Sequence, residues 1–426
     1  MIEKIHSDII GETCLEYVHK SGVRVFMLPM EGYSSAVAQF SAKFGSQDNA
    51  FSVNGGELQK VPDGTAHYLE HKLFESEEKD AFSQFAQTGA MCNAGTSFDY
   101  TQYYFSCTDN FRKNLEILLG FVQDPYFTPE NVEKERGIIG QEITMYRDNP
   151  NWRVFTGLLE GLYKVNPVRN DIAGSIESIA EITDKTLYDC YDAYYNPANM
   201  FLCVAGNFDP QEVVDICEDK LQSRLPLDVK SAPFDEPYEV NLVSTEIKMQ
   251  VAKPIFEMGF KRPCLEGQAA TDEYIYFNIL FDMMFGGTSD FFMKMRERGL
   301  INEEFSDGVF NGRGHLFPFL RGESAEPMTV AEEVRKTIRA FKAEPPSKED
   351  FERVKRMTYG GLVRDWGSVS SVADTLSEAA LAGTSPFAVI DTAAGADYEK
   401  TLEKLESLDE ENACISIVEE EIGDFE

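Results

Sequence analysis

In its first fifty residues the chain carries runs in which apolar positions alternate with polar ones, a period of two that predicts strands. Leu15-Glu-Tyr-Val-His-Lys-Ser-Gly-Val-Arg-Val-Phe-Met-Leu-Pro29 reads as two strands turning at Ser21-Gly22, with His19 a strand residue. Another strand runs from Ser35 to Phe44 and stops at Gly45-Ser46. Gly55-Gly56 and Pro62-Asp63-Gly64 then punctuate a loop that delivers the chain into a helix. A second helical stretch, Phe82 to Thr88, precedes an aromatic and β-branched region, Gly89 to Cys107, that predicts strands. Small residues at Ala94 and Gly95 leave the backbone approachable there, as an edge strand needs if it is to pair with an extended peptide. An ordinary hairpin with a glycine bulge is the alternative. From Pro129 to Tyr146, Val132, Ile138, Ile139, Ile143 and Met145 fit a helix with one buried side.

Trp152 to about Leu225 is mostly helical, with a strand at Met200 to Gly206, and closes a first domain, 1–225. Pro226, Pro233 and Pro237 interrupt a polar stretch and mark a linker, 226–239. The remainder, 240–426, weakly repeats the first half: a strand at Pro254 to Phe260, an apolar helix from Tyr274 to Phe285, and a helix from Lys348 to Val363. A chain of 426 residues is too long for one hydrophobic core, which agrees with two domains of about 200 residues each.

Charge narrows the partners. With 73 acidic against 39 basic residues the net charge is −34, a surface that repels nucleic acid and anionic membrane and favours basic peptides. Acidity that merely keeps the protein soluble is the plain alternative. Eight cysteines are scattered without a C-x-x-C pair and are expected to be reduced thiols. The N-terminal residues carry no signal-peptide pattern and no apolar run reaches the ~20 residues of a membrane span, so a cytoplasmic location is expected.

Candidate chemistry sits in the helix after Gly64. His67, Glu70 and His71 form H-x-x-E-H, and at i, i+3 and i+4 all three project from one helix face. Two imidazoles suit a zinc ion, and a carboxylate that is not a ligand can take a proton from a water nearby. Only five histidines occur in the chain, so a chance match is unexpected. Glu135 and Glu142, nearly two turns apart on the predicted helix from Pro129, share a face and offer the carboxylate that a three-ligand site lacks.

This combination resembles the pitrilysin or insulinase family of zinc peptidases (M16, of the small-subunit M16B type), in which the usual H-E-x-x-H order is inverted. Gly45-Ser46 and Asn93-Ala94-x-Thr96 also match the family's pattern. The resemblance implies an α+β fold of two homologous domains of the mitochondrial-processing-peptidase-like metallohydrolase type, each a mostly antiparallel sheet packed with helices, only the first carrying metal. It makes His67, His71 and Glu142 the ligands of one zinc per chain, Glu70 the general base, and Glu135 a supporting carboxylate. Asn93, Ala94 and Thr96 would hold the substrate backbone.

In the second domain the family carries an arginine and a tyrosine a few residues apart. Arg296 matches the first, whereas Asn302 stands at the tyrosine's place. His315, in Gly312-Arg-Gly-His315, is a conceivable replacement donor but is expected to be an exposed loop histidine. The implied function is a zinc endopeptidase that cleaves short or unfolded peptides within a clamshell chamber. The lost tyrosine points to a dimer, homo- or hetero-, with a related member lacking zinc that completes the site. A non-proteolytic scaffolding subunit is the alternative. The wording Glu70-His-Lys-Leu-Phe-Glu75 and Gly299-Leu-Ile-Asn302 is similar to that of bacterial insulinase-family proteins associated with modification of elongation factor P.

Overall fold

The computed structural model describes residues 2–77 and 80–421; Met1 and residues 422–426, the outer limits of the two domains expected from the sequence, lie outside these. The chain groups into two compact units. The first comprises Met1–Ile143, Asp171–Pro233 and Val363–Phe387, and the second Thr144–Asn170, Phe234–Leu362 and Ala388–Glu426. Each unit is an α+β layer built on a mostly antiparallel sheet.

In the first unit, β1 (Ile2–His6), β2 (Thr13–Val18), β3 (Arg24–Pro29) and β4 (Ala36–Ala42) are followed by a small sheet that contains β5 (Ala50–Val53) and β6 (Gln59–Lys60). After helices α1 (Thr65–Leu73) and α2 (Ala81–Thr88) come β7 (Met91–Thr96) and β8 (Thr101–Cys107), then α3 (Phe111–Val122) and α4 (Pro129–Arg147), and later β9 (Met200–Gly206). The main sheet has the order β1-β2-β3-β9-β4-β8-β7, so β7 is an edge strand. Only the β3/β9 pair is parallel in this sheet. All seven residues of both β4 and β9 are buried, because the sheet is covered on both faces at its centre.

One cover is the helix Val369–Ala382, which packs on β4 and β9 although it lies late in the sequence. It explains a polar residue in the middle of β4. Gln39 donates from Nε2 to Asp374 Oδ1 at 2.7 Å, and its Oε1 accepts from Ser377 Oγ at 2.6 Å, so a buried amide is satisfied.

The second unit mirrors this arrangement. Its sheet, built from β11 (Ser244–Met249), β12 (Ile255–Phe260), β13 (Ser306–Gly312), β14 (His315–Glu323) and β15 (Ala413–Glu420), has the order β11-β15-β12-β14-β13; β10 (Val229–Ser231) belongs to the small sheet of the first unit. Helix α5 (Pro150–Leu162) lies on its β11, β12 and β15 face. Glycines permit the contact: a Cβ at Gly161 would sit 2.2 Å from Cys414 Sγ, and one at Gly157 2.6 Å from Ser416 Oγ. The cysteines are all free thiols, and among the described residues no helix is long and apolar enough to cross a membrane.

Two histidines differ from expectation. His19 lies just past the end of β2, buried in the turn, where Nδ1 pairs with Ser21 Oγ at 2.7 Å. His315 is not an exposed loop residue: it opens β14, is 2% exposed and stacks on the Phe310 ring at 5.1 Å. The tight β13/β14 hairpin, which pairs Gly312 with His315, turns that side chain inward. Burial holds its pKa down at about 3. The unfolded chain protonates near pH 6.5 while the native one does not, so the stability held above pH 6.5 falls by ~1.4 kcal/mol per pH unit between 6.5 and 3. In His315→Phe the unfolding midpoint, followed by circular dichroism, is expected to fall less steeply over that window than in the parent.

Candidate metal centre

The site begins with a glycine. Gly64 enters α1 at φ +88°, and a Cβ there would lie 2.4 Å from the Ala173 carbonyl oxygen. A Cβ on Gly174, at φ +76°, would likewise lie 2.4 Å from the Asp63 carbonyl oxygen, and Ser178 Oγ donates to that oxygen at 2.8 Å. The two loops interlock because neither position carries a side chain. Gly64→Ala is therefore expected to destabilise the first unit by about 1–3 kcal/mol, read as a thermal midpoint lowered by several degrees.

Ala66, Tyr68, Leu69 and Leu73 sink α1 into the core. Tyr68 donates its hydroxyl to the Val132 carbonyl, which ties α1 to α4. On α4, Val132, Ile139 and Ile143 face the same core, so the helix presents its glutamates to α1 at a fixed rotation. Four of the predicted residues meet there. His67 Nε2 lies 3.6 Å from Glu142 Oε1, and His71 Nε2 lies 3.3 Å from Glu142 Oε2. On its other nitrogen, His71 Nδ1 is 3.0 Å from Glu135 Oε1. The ligand atoms of His67, His71 and Glu142 all lie within 4.8 Å of one another, and these three could hold a metal ion. His67 Nδ1 is buried without a hydrogen-bond partner among the described residues.

Charge is concentrated here. Burial favours the neutral His71 ring, but hydrogen bonds to Glu135 and Glu142 outweigh it and raise the pKa to about 10. Hydrogen bonds from His67 and His71 hold the Glu142 carboxyl well below the usual range. Burial raises Glu135, yet its bond to His71 carries it below the ordinary value. Without a metal, the two carboxylates gather protons onto the imidazole between them.

Glu70 projects from the same helix and is buried. Its Oε2 accepts from Thr96 Oγ1 at 2.8 Å. Thr96 ends edge strand β7, so its hydroxyl reaches the carboxylate of α1 from the sheet. That contact is invisible in the sequence, where Thr96 stands out only as part of Asn93-Ala94-x-Thr96. Asn93 and Ala94 lie on β7, where Asn93 Oδ1 accepts from the Ala94 N–H at 2.9 Å. β7 pairs with β8 on one side only.

Arg296 belongs to the second unit, on the helix Asp290–Glu297, with its guanidinium 2.5 Å from Glu303. In the same unit Asn302 donates from Nδ2 to Glu323 Oε2 at 2.8 Å. Its amide is engaged where the resemblance expects a tyrosine.

A fold of two sheet-and-helix units with an H-x-x-E-H helix beside a glutamate helix now has named counterparts. Residues 38–175 match the family model for insulinase (peptidase family M16), and residues 181–358 match the model described as the peptidase M16 inactive domain. The chain belongs to the insulinase family, M16. It is 38% identical over 397 residues to YmfH, an uncharacterized zinc protease of Bacillus subtilis, with 92% of each chain covered. An uncharacterized zinc protease of Rickettsia felis is 29% identical over 68% of this chain and 70% of its own. Among solved structures, a putative M16-like peptidase from Alicyclobacillus acidocaldarius superposes with a TM-score of 0.92 at 30% identity, covering 99% of both chains. A protease from Helicobacter pylori shares the fold, with a TM-score of 0.81 at 16% identity over 96% of this chain and 99% of that one.

Proposed function

We propose that this protein is a zinc-dependent endopeptidase acting on short or unfolded peptides. The observation that carries the proposal is the convergence of His67, His71 and Glu142 within 4.8 Å. Two imidazole nitrogens and one carboxylate oxygen make a donor set that suits zinc, and three protein ligands leave a position open for water or substrate. These residues would hold one zinc per chain. When bound, zinc supplies a Lewis acid that acidifies water and polarises a carbonyl.

The remaining steps belong to the side chains. Glu70 takes the proton of the attacking water at Oε1 and returns it to the leaving amine. Thr96 anchors Oε2 of that carboxylate, which keeps Oε1 in one orientation. Glu135 accepts a hydrogen bond from His71 Nδ1, selecting the tautomer whose Nε2 is available to metal. The outer edge of β7 at Asn93 and Ala94 would pair with an extended substrate, while Arg296 would contact the substrate carbonyl region.

A second reading draws on Asn302. Asn302 donates one amide N–H to Glu323 and offers no phenol, so in this reading the hydrogen bond to the developing oxyanion comes from a related family member lacking zinc, in a heterodimer. A non-proteolytic scaffold is the same reading carried further. Zinc analysis, native mass measurement and peptide cleavage by the purified chain, alone and with such a relative, test both readings. Zinc with cleavage by the chain alone supports the first, and zinc with cleavage only in the mixture supports the second. A chain purified without chelator that holds no zinc and cleaves nothing in either state would overturn the peptidase.

A further inference from the structure

The second unit contains a cavity of about 310 Å³ between the start of α5 and the β12–β14 part of its sheet. Trp152 and Phe155 come from the helix, and Phe310 and Phe319 from the sheet. Phe155 meets Phe310 edge-on at 5.4 Å, and Trp152 lies 5.9 Å from Phe155, so the aromatic wall is continuous. Into this wall is set a carboxylate. Glu257 is 4% exposed, lines the cavity, and its Oε2 is buried without a hydrogen-bond partner among the described residues.

A buried carboxylate oxygen left without a donor costs about 1–3 kcal/mol or more, and because Glu257 lines a cavity, a donor entering from outside the chain would recover that cost. Directly opposite Glu257 across the β12/β14 pair stands Arg321, exposed and lining the same cavity. Residues in that register share a face of the sheet with their Cβ atoms roughly 5 Å apart. One pocket therefore offers a desolvated carboxyl group, a solvated guanidinium beside it, and aromatic surface.

We propose that this pocket binds a free α-amino acid with an apolar or aromatic side chain, its ammonium on Glu257, its carboxylate on Arg321 and its side chain among Trp152, Phe155, Phe310 and Phe319. A simple cation would meet Glu257 but would be opposed by Arg321, and a simple anion would leave Glu257 unpaired; a zwitterion satisfies both. Aromatic faces add attraction for an ammonium group. The volume lies at the low end of the ~300–1,000 Å³ of small-molecule sites, which suits a single amino acid better than a peptide. Burial pushes the Glu257 carboxyl up to about 7 in the empty pocket, and a bound ammonium would hold it ionised. The inference does not depend on the peptidase reading, because neither the cavity nor its ligand involves the residues of α1 and α4.

Isothermal titration calorimetry of the full chain with L-phenylalanine and L-leucine tests it. Saturable binding at millimolar concentration or below is expected. N-acetyl-L-phenylalanine, without the ammonium, and phenethylamine, without the carboxylate, should each bind roughly tenfold more weakly or worse. Glu257→Gln and Arg321→Met should weaken L-phenylalanine by a similar factor while leaving the zinc content unchanged. The analogue series uses the parent protein, so it decides the matter even if a variant misfolds. No heat with either amino acid, or either analogue binding as well as L-phenylalanine, would overturn the proposal.

Discussion

Glu70→Gln should lower kcat for peptide cleavage by about 10²–10⁴-fold, the usual worth of a general base, while the protein keeps its zinc. The two halves of that expectation come from different contacts. Glutamine preserves the shape of the side chain and can still meet the Thr96 hydroxyl, so α1 and its two histidines stay in place. What it cannot do is accept the proton of the attacking water. Steady-state kinetics on an unfolded peptide, with zinc measured on the same sample, separates the effects. A variant that retains zinc and cleaves at the parental rate would remove Glu70 from the mechanism.

Glu142→Ala acts on the other side of the site. Both Nε2 atoms face this one carboxylate, at 3.6 Å from His67 and 3.3 Å from His71, so its loss leaves two donors where a stable zinc site needs three. Zinc affinity is expected to fall by well over the 10–100-fold typical of a lost supporting partner, and cleavage to fall with it. Zinc content after dialysis against a competing chelator measures the first effect. Glu135→Ala offers the internal comparison. It leaves all three proposed ligands and removes only the bond to His71 Nδ1, so it should retain more zinc than Glu142→Ala. Equal retention in Glu142→Ala and the parent would exclude Glu142 as a ligand.

Much of this geometry is legible in the chain itself, because helix spacing is fixed. Residues at i, i+3 and i+4 must share a face, which put His67, Glu70 and His71 together. Glu135 and Glu142, seven apart, had to lie along one side of α4, and they flank His71 from its two nitrogens. The edge position of β7 was readable from the small residues Ala94 and Gly95. Harder to read was anything that depends on contacts between distant segments. Gly64 looked like loop punctuation, whereas its real constraint is a carbonyl oxygen more than a hundred residues away. The resemblance marks Thr96 as part of a strand that holds substrate backbone, and its bond to Glu70 depends on the packing of β7 near α1, which no local pattern encodes. His315 misled because a histidine after Gly-Arg-Gly suggests an exposed turn, and the inward register of a hairpin cannot be judged from four residues. Nor does the periodicity of Pro150–Leu162 say which sheet that helix covers, since an amphipathic face specifies only that it must be covered.

That last point bears on how the protein is made. The helix Val369–Ala382, which shields β4 and β9, leaves the ribosome well over a hundred residues after the strands it covers, and α5 is synthesised long before most of the sheet that receives it. Neither core can close on a nascent chain that stops at its own midpoint. Until the helix Val369–Ala382 is made, β4 and β9 lack the cover it provides on one face, and exposed apolar surface of that kind favours aggregation. Closure of the first core thus waits for synthesis to pass Ala382, and of the second for the strand that ends at Glu420, rather than for the end of either half.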